Sequence, residues 1–449
     1  RSTLFPYTTL FRSGRRVKSA GIVGAGGATF PTHVKIDATA DVVIVNGAEC
    51  EPLLRVDQQL MDLRASDMLE ALQTVMDHTQ AKEGIIGLKK KYVPAINNLN
   101  NLLKDYPKIK LCILNNFYPA GDEQTLVYET TGRIVPEGGI PLAVGALVMN
   151  VETLLNIHDY LTEEKPVIDK YLTVTGKVKR RITTKVPLGI TVKEALTLAG
   201  GPIISDYVVV NGGPMMGKIV SEDSYITKGT KGLIVLPKDH SLIISKTRSF
   251  KDSLKLAATA CMQCSLCSEV CPRNMLGHDL WPHKMMRIAA YAGTCDPVAA
   301  PTNAFLCCEC GLCEYACVHD LQPWKVNQYL KGELSKAGIK NPHHNAPKTA
   351  HPFIEQKHFN VHRLTKRLGL DEFDKTAPME ACKKTFTEVN IQLSQHIGAP
   401  AKAVVAVGDT VTRGQVIGEI PEGALSARVF ASIDGKVTAV GDGKITIHA

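Results

Sequence analysis

Two runs of cysteines carry the most specific chemical signal in the sequence. Each follows the spacing C-x2-C-x2-C-x3-C, and their residues lie between positions 261 and 317. Three thiolates at this spacing can surround one corner of a [4Fe–4S] cluster, and the fourth cysteine is then free to reach another cluster. The sequence therefore predicts two [4Fe–4S] clusters that exchange their fourth ligands. One would be bound by Cys261, Cys264, Cys267 and Cys317, and the other by Cys307, Cys310, Cys313 and Cys271.

Two other interpretations of these cysteines are weaker. A zinc site closes at four ligands, commonly as paired CxxC motifs or CxxC with histidines, which leaves a third cysteine in each run unexplained. Disulfides fit poorly because such local spacings suit the edge of a metal centre better than mutual pairing. Cys308 lies inside the second run but breaks its spacing, so we expect it to be a buried small residue and not a ligand.

The composition is that of an ordinary globular protein. Of 449 residues, 44% are hydrophobic and 21% are charged, and this length allows about three or four domains. No apolar run approaches the roughly 18 residues of a membrane span, so we expect no membrane-spanning helix. The formal net charge of +8 is modest and does not require a nucleic-acid partner. Unpaired cysteines and oxygen-sensitive clusters predict a reducing, cytoplasmic location.

Residues 1–13 are set apart from the rest of the chain. Their sequence looks like the in-frame translation of a short-read sequencing adapter, and the composition changes abruptly at Gly14. The alternative is a native hydrophobic N-terminal arm. We therefore expect the fold to begin near Gly14 and treat the preceding residues as an artefact.

Apolar strand-like runs alternate with helical periods over residues 14–169. Strands are predicted at 41–46, 84–89 and 110–115, and helices at 60–77 and 93–103. This alternation predicts an α/β sheet with ligands at the carboxyl ends of its strands. The loops carry four motifs, which are a glycine-rich turn at 21–35 and polar segments at 46–52, 119–125 and 149–153. Glycines let a backbone approach a phosphate or a flat ring, and N–H groups at a helix start stabilise negative charge.

In this order the four motifs resemble those of the flavin-binding subunit of respiratory complex I and its relatives. Among those relatives are the C subunit of the Rnf electron-transport complex and the cobalamin reductases of propanediol-utilisation microcompartments. The resemblance implies an FMN site and NADH as the electron donor. The residues that it implies for FMN and NADH binding are Gly24, Gly26, Gly27, Lys35, Asn46, Glu49, Glu51, Gly121, Asp122, Glu123 and Asn150.

Within this set the resemblance implies distinct places for a few side chains. Lys35 would lie near the flavin, and Glu51 and Glu123 would face the incoming NADH. Two positions depart from the family pattern, because Thr29 replaces a glycine and Ala48 replaces an acidic residue.

The resemblance also divides the chain into successive units of an α/β protein. They are a Rossmann-like FMN/NADH domain at 14–167, a β-grasp SLBB domain at 168–245, a helical 4Fe-4S dicluster domain at 246–338, a linker at 339–395 and a β barrel-sandwich hybrid domain at 396–449. In the last unit Ala424 stands where a lipoyl or biotinyl domain carries its modified lysine. No swinging arm can therefore be attached there.

The implied function is electron transfer from NADH to FMN, to two [4Fe–4S] clusters and on to an acceptor. The C-terminal position of the barrel favours the cobalamin-reductase branch, whose acceptor is corrinoid cobalt. Expected partners are then a corrinoid, a corrinoid enzyme or an adenosyltransferase, and microcompartment shell proteins if the protein lies inside that compartment. The alternative is an Rnf-like or amino-acid-reductase-associated carrier that gives its electrons to a protein partner. The intact motifs disfavour a third hypothesis, a non-catalytic scaffold.

Overall fold

The computed structural model describes residues 16–290, 300–346 and 349–449. The predicted artefact at residues 1–13 lies outside these ranges. None of the helices within them is long and apolar enough to cross a membrane. The chain folds into successive α/β, β-grasp, helical and small β units, as the sequence predicts.

The first unit contains a four-stranded sheet in which every strand is parallel to its neighbours. The strands of this unit are Val42–Gly47 (β1), Glu83–Lys89 (β2), Ile109–Leu114 (β3), Phe117–Tyr118 (β4) and Ala146–Asn150 (β5). The order in the sheet is β3-β2-β1-β5. The two central strands are almost wholly buried runs of β-branched and other apolar residues, as a parallel sheet covered by helices requires. The predictions of strands at 41–46, 84–89 and 110–115 are confirmed.

The helices around this sheet differ from prediction at one point. They are Thr32–Ile36 (α1), Val56–Leu63 (α2), Ala65–Thr79 (α3), Val93–Leu102 (α4), Glu123–Thr131 (α5) and Val151–Glu163 (α6). The helical spacing at 60–77 belongs to α2 and α3, so the prediction of one continuous helix is wrong. The chain leaves helical geometry at Arg64, whose φ is −129° and whose guanidinium binds Asp67 and Asp159.

The second unit is a six-stranded mixed sheet with one helix. The elements are Asp169–Gly176 (β6), Ile182–Pro187 (β7), Val192–Leu198 (α7), Tyr207–Asn211 (β8), Lys218–Val220 (β9), Gly232–Pro237 (β10) and, from much later in the chain, Met379–Glu380 (β12). The strand order is β12-β7-β6-β10-β8-β9, and β10 runs parallel to β6. The helix begins with a capping box, in which Thr191 and Glu194 each accept a bond from the other's backbone N–H group.

The third unit is helical and contains both cysteine runs. Short helices alternate with loops that place the cysteines at helix ends. The helices are Ser241–Thr247 (α8), Phe250–Ala260 (α9), Leu266–Glu269 (α10), Pro272–Met275 (α11), Pro282–Ala290 (α12), Leu312–Ala316 (α13) and Pro323–Lys336 (α14).

The remaining elements belong to the C-terminal unit and the segment before it. They are Phe359–Asn360 (β11), Val361–Arg367 (α15), Glu388–Gln392 (β13), Lys402–Ala403 (β14), Thr410–Val411 (β15), Val416–Glu419 (β16), Val429–Phe430 (β17), Gly435–Gly441 (β18) and Lys444–His448 (β19). The C-terminal unit consists of two small antiparallel sheets, ordered β13-β19-β18-β15 and β14-β16-β17. Its first strand lies inside the range 339–395 that we predict to be a linker. The same range also contributes β11, which pairs with β4, and β12, which pairs with β7.

Lys228 joins the first, second and last units at a fully buried position. Its Nζ donates to the carbonyl oxygens of Gly21 and Arg428, each at 2.7 Å. Gly21 has a φ of +62°, and a Cβ built on it would overlap the Arg428 carbonyl, so glycine permits this close approach. The barrel is thereby held against the start of the glycine-rich loop.

Candidate functional site

The four sequence motifs meet at the carboxyl edge of the parallel sheet. Asn46 and Asn150 lie at the carboxyl ends of neighbouring strands and are paired in register. The side chain of Asn46 donates to the Gly121 carbonyl at 2.8 Å, and a Cβ on Gly26 would lie 3.5 Å from the Asn150 amide nitrogen. The structure therefore brings Gly26, Asn46, Gly121 and Asn150 together at one edge, as ligand sites in α/β sheets require.

The glycine-rich loop is closed by a backbone hydrogen bond and exposes two of its glycines. Gly24 donates its N–H to the Phe30 carbonyl, which closes the loop. Gly26 and Gly27 are exposed, and a Cβ on Gly27, whose φ is +119°, would meet nothing within 4 Å. Thr29 has a φ of +50°, a conformation that a β-branched residue rarely adopts and that glycine takes freely. The departure from the family pattern at this position therefore coincides with local strain.

Lys35 and Glu123 face each other beside this loop. The Nζ of Lys35, on α1, lies 2.8 Å from a carboxylate oxygen of Glu123, the first residue of α5. Both side chains remain partly exposed, so this ion pair can open toward a ligand at little cost. The lysine predicted to lie near the flavin and the carboxylate predicted to face NADH are therefore direct neighbours in the site.

Glu49 and Glu51 are engaged by backbone N–H groups. Glu49 accepts bonds from the N–H groups of Val56 and Asp57, at 2.7 and 2.8 Å, and so caps the start of α2. Glu51 accepts bonds from Met215 and Met216 of the β-grasp unit, at 2.9 and 2.8 Å. Burial raises the pKa of Glu51. Both carboxylates therefore shape the loop after β1, while the contact of Glu51 with NADH and the role of Glu49 in cofactor binding stay predictions.

A buried group of four charges lies behind the flavin motifs, and sequence reasoning missed it. Glu152 lies 2.6 Å from Lys170 and 3.1 Å from Lys231, which in turn lies 2.6 Å from Asp57. Each of the four side chains is at most 9% exposed. We call Asp57, Glu152, Lys170 and Lys231 the charge quartet. Two members come from the flavin unit and two from the β-grasp unit.

The charge quartet supports the proposed ligand site directly. Lys170 donates to the Ala25 carbonyl at 3.2 Å, and Asn150 donates to Asp57 at 2.9 Å. Burial opposes ionisation of Glu152, but Lys170 and Lys231 outweigh it and lower the pKa of that carboxyl. The quartet is therefore an ion cluster that fixes the glycine loop and Asn150. Nothing in the sequence marks Lys170 as buried, because it stands beside Asp169 in a strand that also contains Thr173 and Thr175.

The donors at the sheet edge suit a phosphate-bearing flat ligand. They are the backbone of the exposed glycines, the second amide hydrogens of Asn46 and Asn150, beyond those bonded to Gly121 and Asp57, and the ammonium group of Lys35. Backbone N–H groups and helix starts bind phosphate, and glycines allow a ring to approach the backbone. The residues present therefore fit FMN.

The first three cysteines and the last one line a single surface cavity. Cys261, Cys264, Cys267 and Cys317 contribute to its wall. Burial raises the pKa of Cys267 to about 12, and the nearby thiols of Cys317, Cys261 and Cys264 add to this effect. The structure therefore places Cys317 with the first run, although it belongs to the second by sequence.

The other four cysteines lie deeper. Cys271, Cys310 and Cys313 are 7%, 8% and 8% exposed, and Cys271 packs in one apolar cluster with Cys307. Burial raises the pKa of Cys307 to about 11, so metal binding would have to stabilise the thiolate. Among the described residues, no group of His, Cys, Asp or Glu side chains is arranged as the shell of a single metal ion. The ligand assignment therefore rests on spacing and neighbourhood.

Comparison with family models matches successive parts of the chain. Residues 17–159 match the Nuo51 FMN-binding domain, residues 171–218 the SLBB domain, residues 260–322 a 4Fe-4S dicluster domain, and residues 372–448 the RnfC barrel sandwich hybrid domain. With the sites described above, these matches define an oxidoreductase that carries FMN and iron–sulfur clusters. The predictions of fold class and of these cofactors are confirmed.

Full-length relatives identify the branch of this class. Cobalamin reductase PduS of Salmonella typhimurium is 43% identical over 435 residues, 96% of this chain and 95% of the relative. The PduS protein of Citrobacter freundii is 42% identical over 99% of this chain and 98% of its own. In Acetobacterium woodii, the C subunit of the Na(+)-translocating ferredoxin:NAD(+) oxidoreductase complex is 34% identical over 58% of each chain. The chain belongs to the PduS cobalamin reductase family.

Proposed function

We propose that this protein passes electrons from NADH through FMN and two [4Fe–4S] clusters to the cobalt of a corrinoid. The observation that carries the proposal is the direct contact between a flavin loop and the segments that carry the two cysteine runs. Tyr118 donates to the Cys310 carbonyl at 2.7 Å, and Asp122 binds Arg273 through two hydrogen bonds. A bound FMN would take a hydride from NADH and release single electrons to the clusters.

The flavin would be held by Gly24, Gly26 and Gly27 from one side and by Asn46 and Asn150 from the sheet edge. The helix start after Asn150 favours the phosphate, since the N-terminal end of a helix stabilises negative charge. Lys35 would exchange its bond to Glu123 for the ligand. Glu123 would then be free to meet the nicotinamide side, together with the loop shaped by Glu49 and Glu51.

Two cluster sites follow from the placement of the cysteines. The buried site would use Cys307, Cys310, Cys313 and Cys271, and the surface site Cys261, Cys264, Cys267 and Cys317. Cys264 is exposed, and its neighbour Met262 is 65% exposed. The surface site is therefore the one that an acceptor can approach, and the buried site is the one that contacts the flavin loop.

The acceptor is the least constrained part of the proposal. Similarity over nearly the whole length to proteins named cobalamin reductase supports a corrinoid, free or held by a corrinoid enzyme or an adenosyltransferase. A cytoplasmic location inside a bacterial microcompartment, with shell proteins as neighbours, is part of the same proposal. The alternative acceptor is a protein, which the partial similarity to one component of an ion-translocating complex favours.

Anaerobic spectroscopy with a matched pair of variants tests the function. Wild type reconstituted with FMN, iron and sulfide should be bleached by NADH and should then reduce cob(III)alamin. Gly26→Leu should lose both FMN and NADH-dependent bleaching, because its side chain would fill the space beside Asn150. Gly332→Leu, at a helix position where a Cβ meets nothing within 4 Å, should behave as wild type.

The acceptor that the protein reduces decides between the two candidate functions. Rapid reduction of free or adenosyltransferase-bound cobalamin supports cobalamin reduction. If NADH bleaches the protein but only a ferredoxin is reduced, the carrier function replaces cobalamin reduction. If wild type binds no flavin after reconstitution, both functions fail.

A further inference from the structure

The segment from Phe117 to Glu123 connects the flavin site to one particular set of cysteines. It contains the flavin motif residues Gly121, Asp122 and Glu123. It follows β3, the strand at one edge of the parallel sheet. Tyr118 in this segment donates to the carbonyl of Cys310. Asp122 binds Arg273, which follows Cys271 by two positions. Both contacts therefore lead to the proposed buried cluster.

The bond between Asp122 and Arg273 is bidentate and shielded from water. The two nitrogen–oxygen distances are 2.6 and 2.8 Å, and the side chains are only 14% and 9% exposed. Asp122 also accepts bonds from the N–H and hydroxyl of Thr125 and caps α5. Its carboxylate thus has no freedom to turn away from the guanidinium.

Arg273 lies two positions after Cys271, a proposed ligand of the buried cluster, and is held there by Asp122. Its guanidinium is buried, and Asp122 is the carboxylate that balances its charge. An arginine keeps its charge under all ordinary conditions. The proposed buried cluster is therefore faced by a fixed positive charge whose field is partly cancelled by Asp122.

We propose that the Asp122–Arg273 pair sets the reduction potential of the buried cluster relative to the flavin. The inference rests on the proposed cofactor arrangement. Adding one electron to a cluster makes it more negative by one unit, so a nearby cation favours the reduced state and a nearby anion disfavours it. Arg273 raises the potential and Asp122 limits that rise. Because Asp122 belongs to the flavin loop, the same pair fixes the loop and adjusts the first electron acceptor.

The two single variants should shift the midpoint potential in opposite directions, which a purely structural role of the pair would not produce. Arg273→Gln should lower the midpoint potential of one cluster, and Asp122→Asn should raise that of the same cluster. We expect each change to alter the equilibrium constant for its reduction about tenfold, which is about 59 mV for one electron. The double variant should return close to the wild-type potential. Arg273→Lys keeps the charge and should shift the potential much less than Arg273→Gln.

The measurement is an anaerobic redox titration followed by the EPR signals of the reduced clusters, with iron content determined for every variant. Arg180→Gln is the matched control, because Arg180 pairs with Glu380 at an exposed position of the β-grasp unit. It should move neither cluster. Shifts of the same sign in both single variants, or equal shifts in both clusters, would show loosened packing and overturn the inference.

Failure of the inference and failure of the proposed function give different results. If wild type carries FMN and two clusters and is reduced by NADH, yet neither variant moves a potential, only the role of the ion pair is wrong. If wild type carries no flavin or no clusters after reconstitution, the proposed function itself is wrong. Should Arg273→Gln fail to fold, Asp122→Asn still tests the sign, and Arg273→Lys should leave the potential close to that of wild type.

Discussion

Removing Lys170 or Glu152 tests how the charge quartet holds the flavin unit against the β-grasp unit. Both side chains are only 2% exposed and their charged atoms lie 2.6 Å apart. Breaking a buried pair by deleting one partner leaves an uncompensated charge and costs about 3–5 kcal/mol. Glu152 would still have Lys231 at 3.1 Å after Lys170→Met. We therefore expect a loss of about 3 kcal/mol for that variant, at the low end of this range.

The assay is a double-mutant cycle with Lys170→Met, Glu152→Gln and their combination, measured by thermal unfolding of flavin-depleted protein. For a cooperative unit of 150–250 residues, a loss of 3 kcal/mol lowers Tm by about 6–12 °C. The double variant removes both charges, so its loss should be smaller than the sum of the single losses by about 2 kcal/mol. Lys170→Met should also weaken FMN binding, because Lys170 holds the Ala25 carbonyl behind the glycine loop.

An exposed pair provides the comparison. Arg180 and Glu380 are 56% and 39% exposed, and such pairs couple by about 1 kcal/mol or less. If the cycle at Lys170 and Glu152 gives a coupling no larger than the cycle at Arg180 and Glu380, the two units are not held together by the quartet.

Three further changes have defined outcomes. Cys261→Ala should remove roughly half of the iron, since each run implies one four-iron cluster, whereas Cys308→Ala should leave iron content unchanged in the same assay. Tyr118→Phe should lower the unfolding free energy by about 0.5–1.5 kcal/mol, measured by chemical denaturation, because it removes the 2.7 Å bond to the Cys310 carbonyl. Burial lowers the pKa of Lys228 to about 7. Above that pH the unfolded chain therefore binds more protons than the folded protein. The stability of wild type relative to Lys228→Met should then rise by up to about 1.4 kcal/mol per pH unit between about pH 7 and about pH 9. A flat or falling difference would contradict the charge state inferred for Lys228.

Local pattern predicts the strands and the cysteine runs because both depend on residues close in sequence. Strands β1 and β2 could be predicted from their own β-branched residues and from the loops at either end. The thiols of Cys261, Cys264 and Cys267 needed only their spacing. The placement of Cys317 with them followed from the known geometry of doubled motifs, and the structure brings it to the same cavity.

Partners that are distant in sequence were beyond prediction. Glu51 bonds to the backbone of Met215, 164 residues later, and Arg273 bonds to Asp122, 151 residues earlier. A buried charge such as Lys170 needs a partner, but which residue supplies it depends on how complete units dock. Glu49 shows the same limit, since the resemblance implies a ligand contact and the structure uses its carboxylate to cap α2.

The two ion pairs at the borders of the flavin unit have a common physical reason. A buried ion pair adds little net stability compared with apolar residues of the same size, so stability alone does not account for Glu152–Lys170 or Asp122–Arg273. An apolar border tolerates small sliding movements, whereas paired charges lose several kcal/mol as soon as they separate. Electron transfer between bound cofactors needs a fixed distance between them. We infer that charges occupy these borders because they fix the position of the flavin loop on both sides, at the cost of some stability.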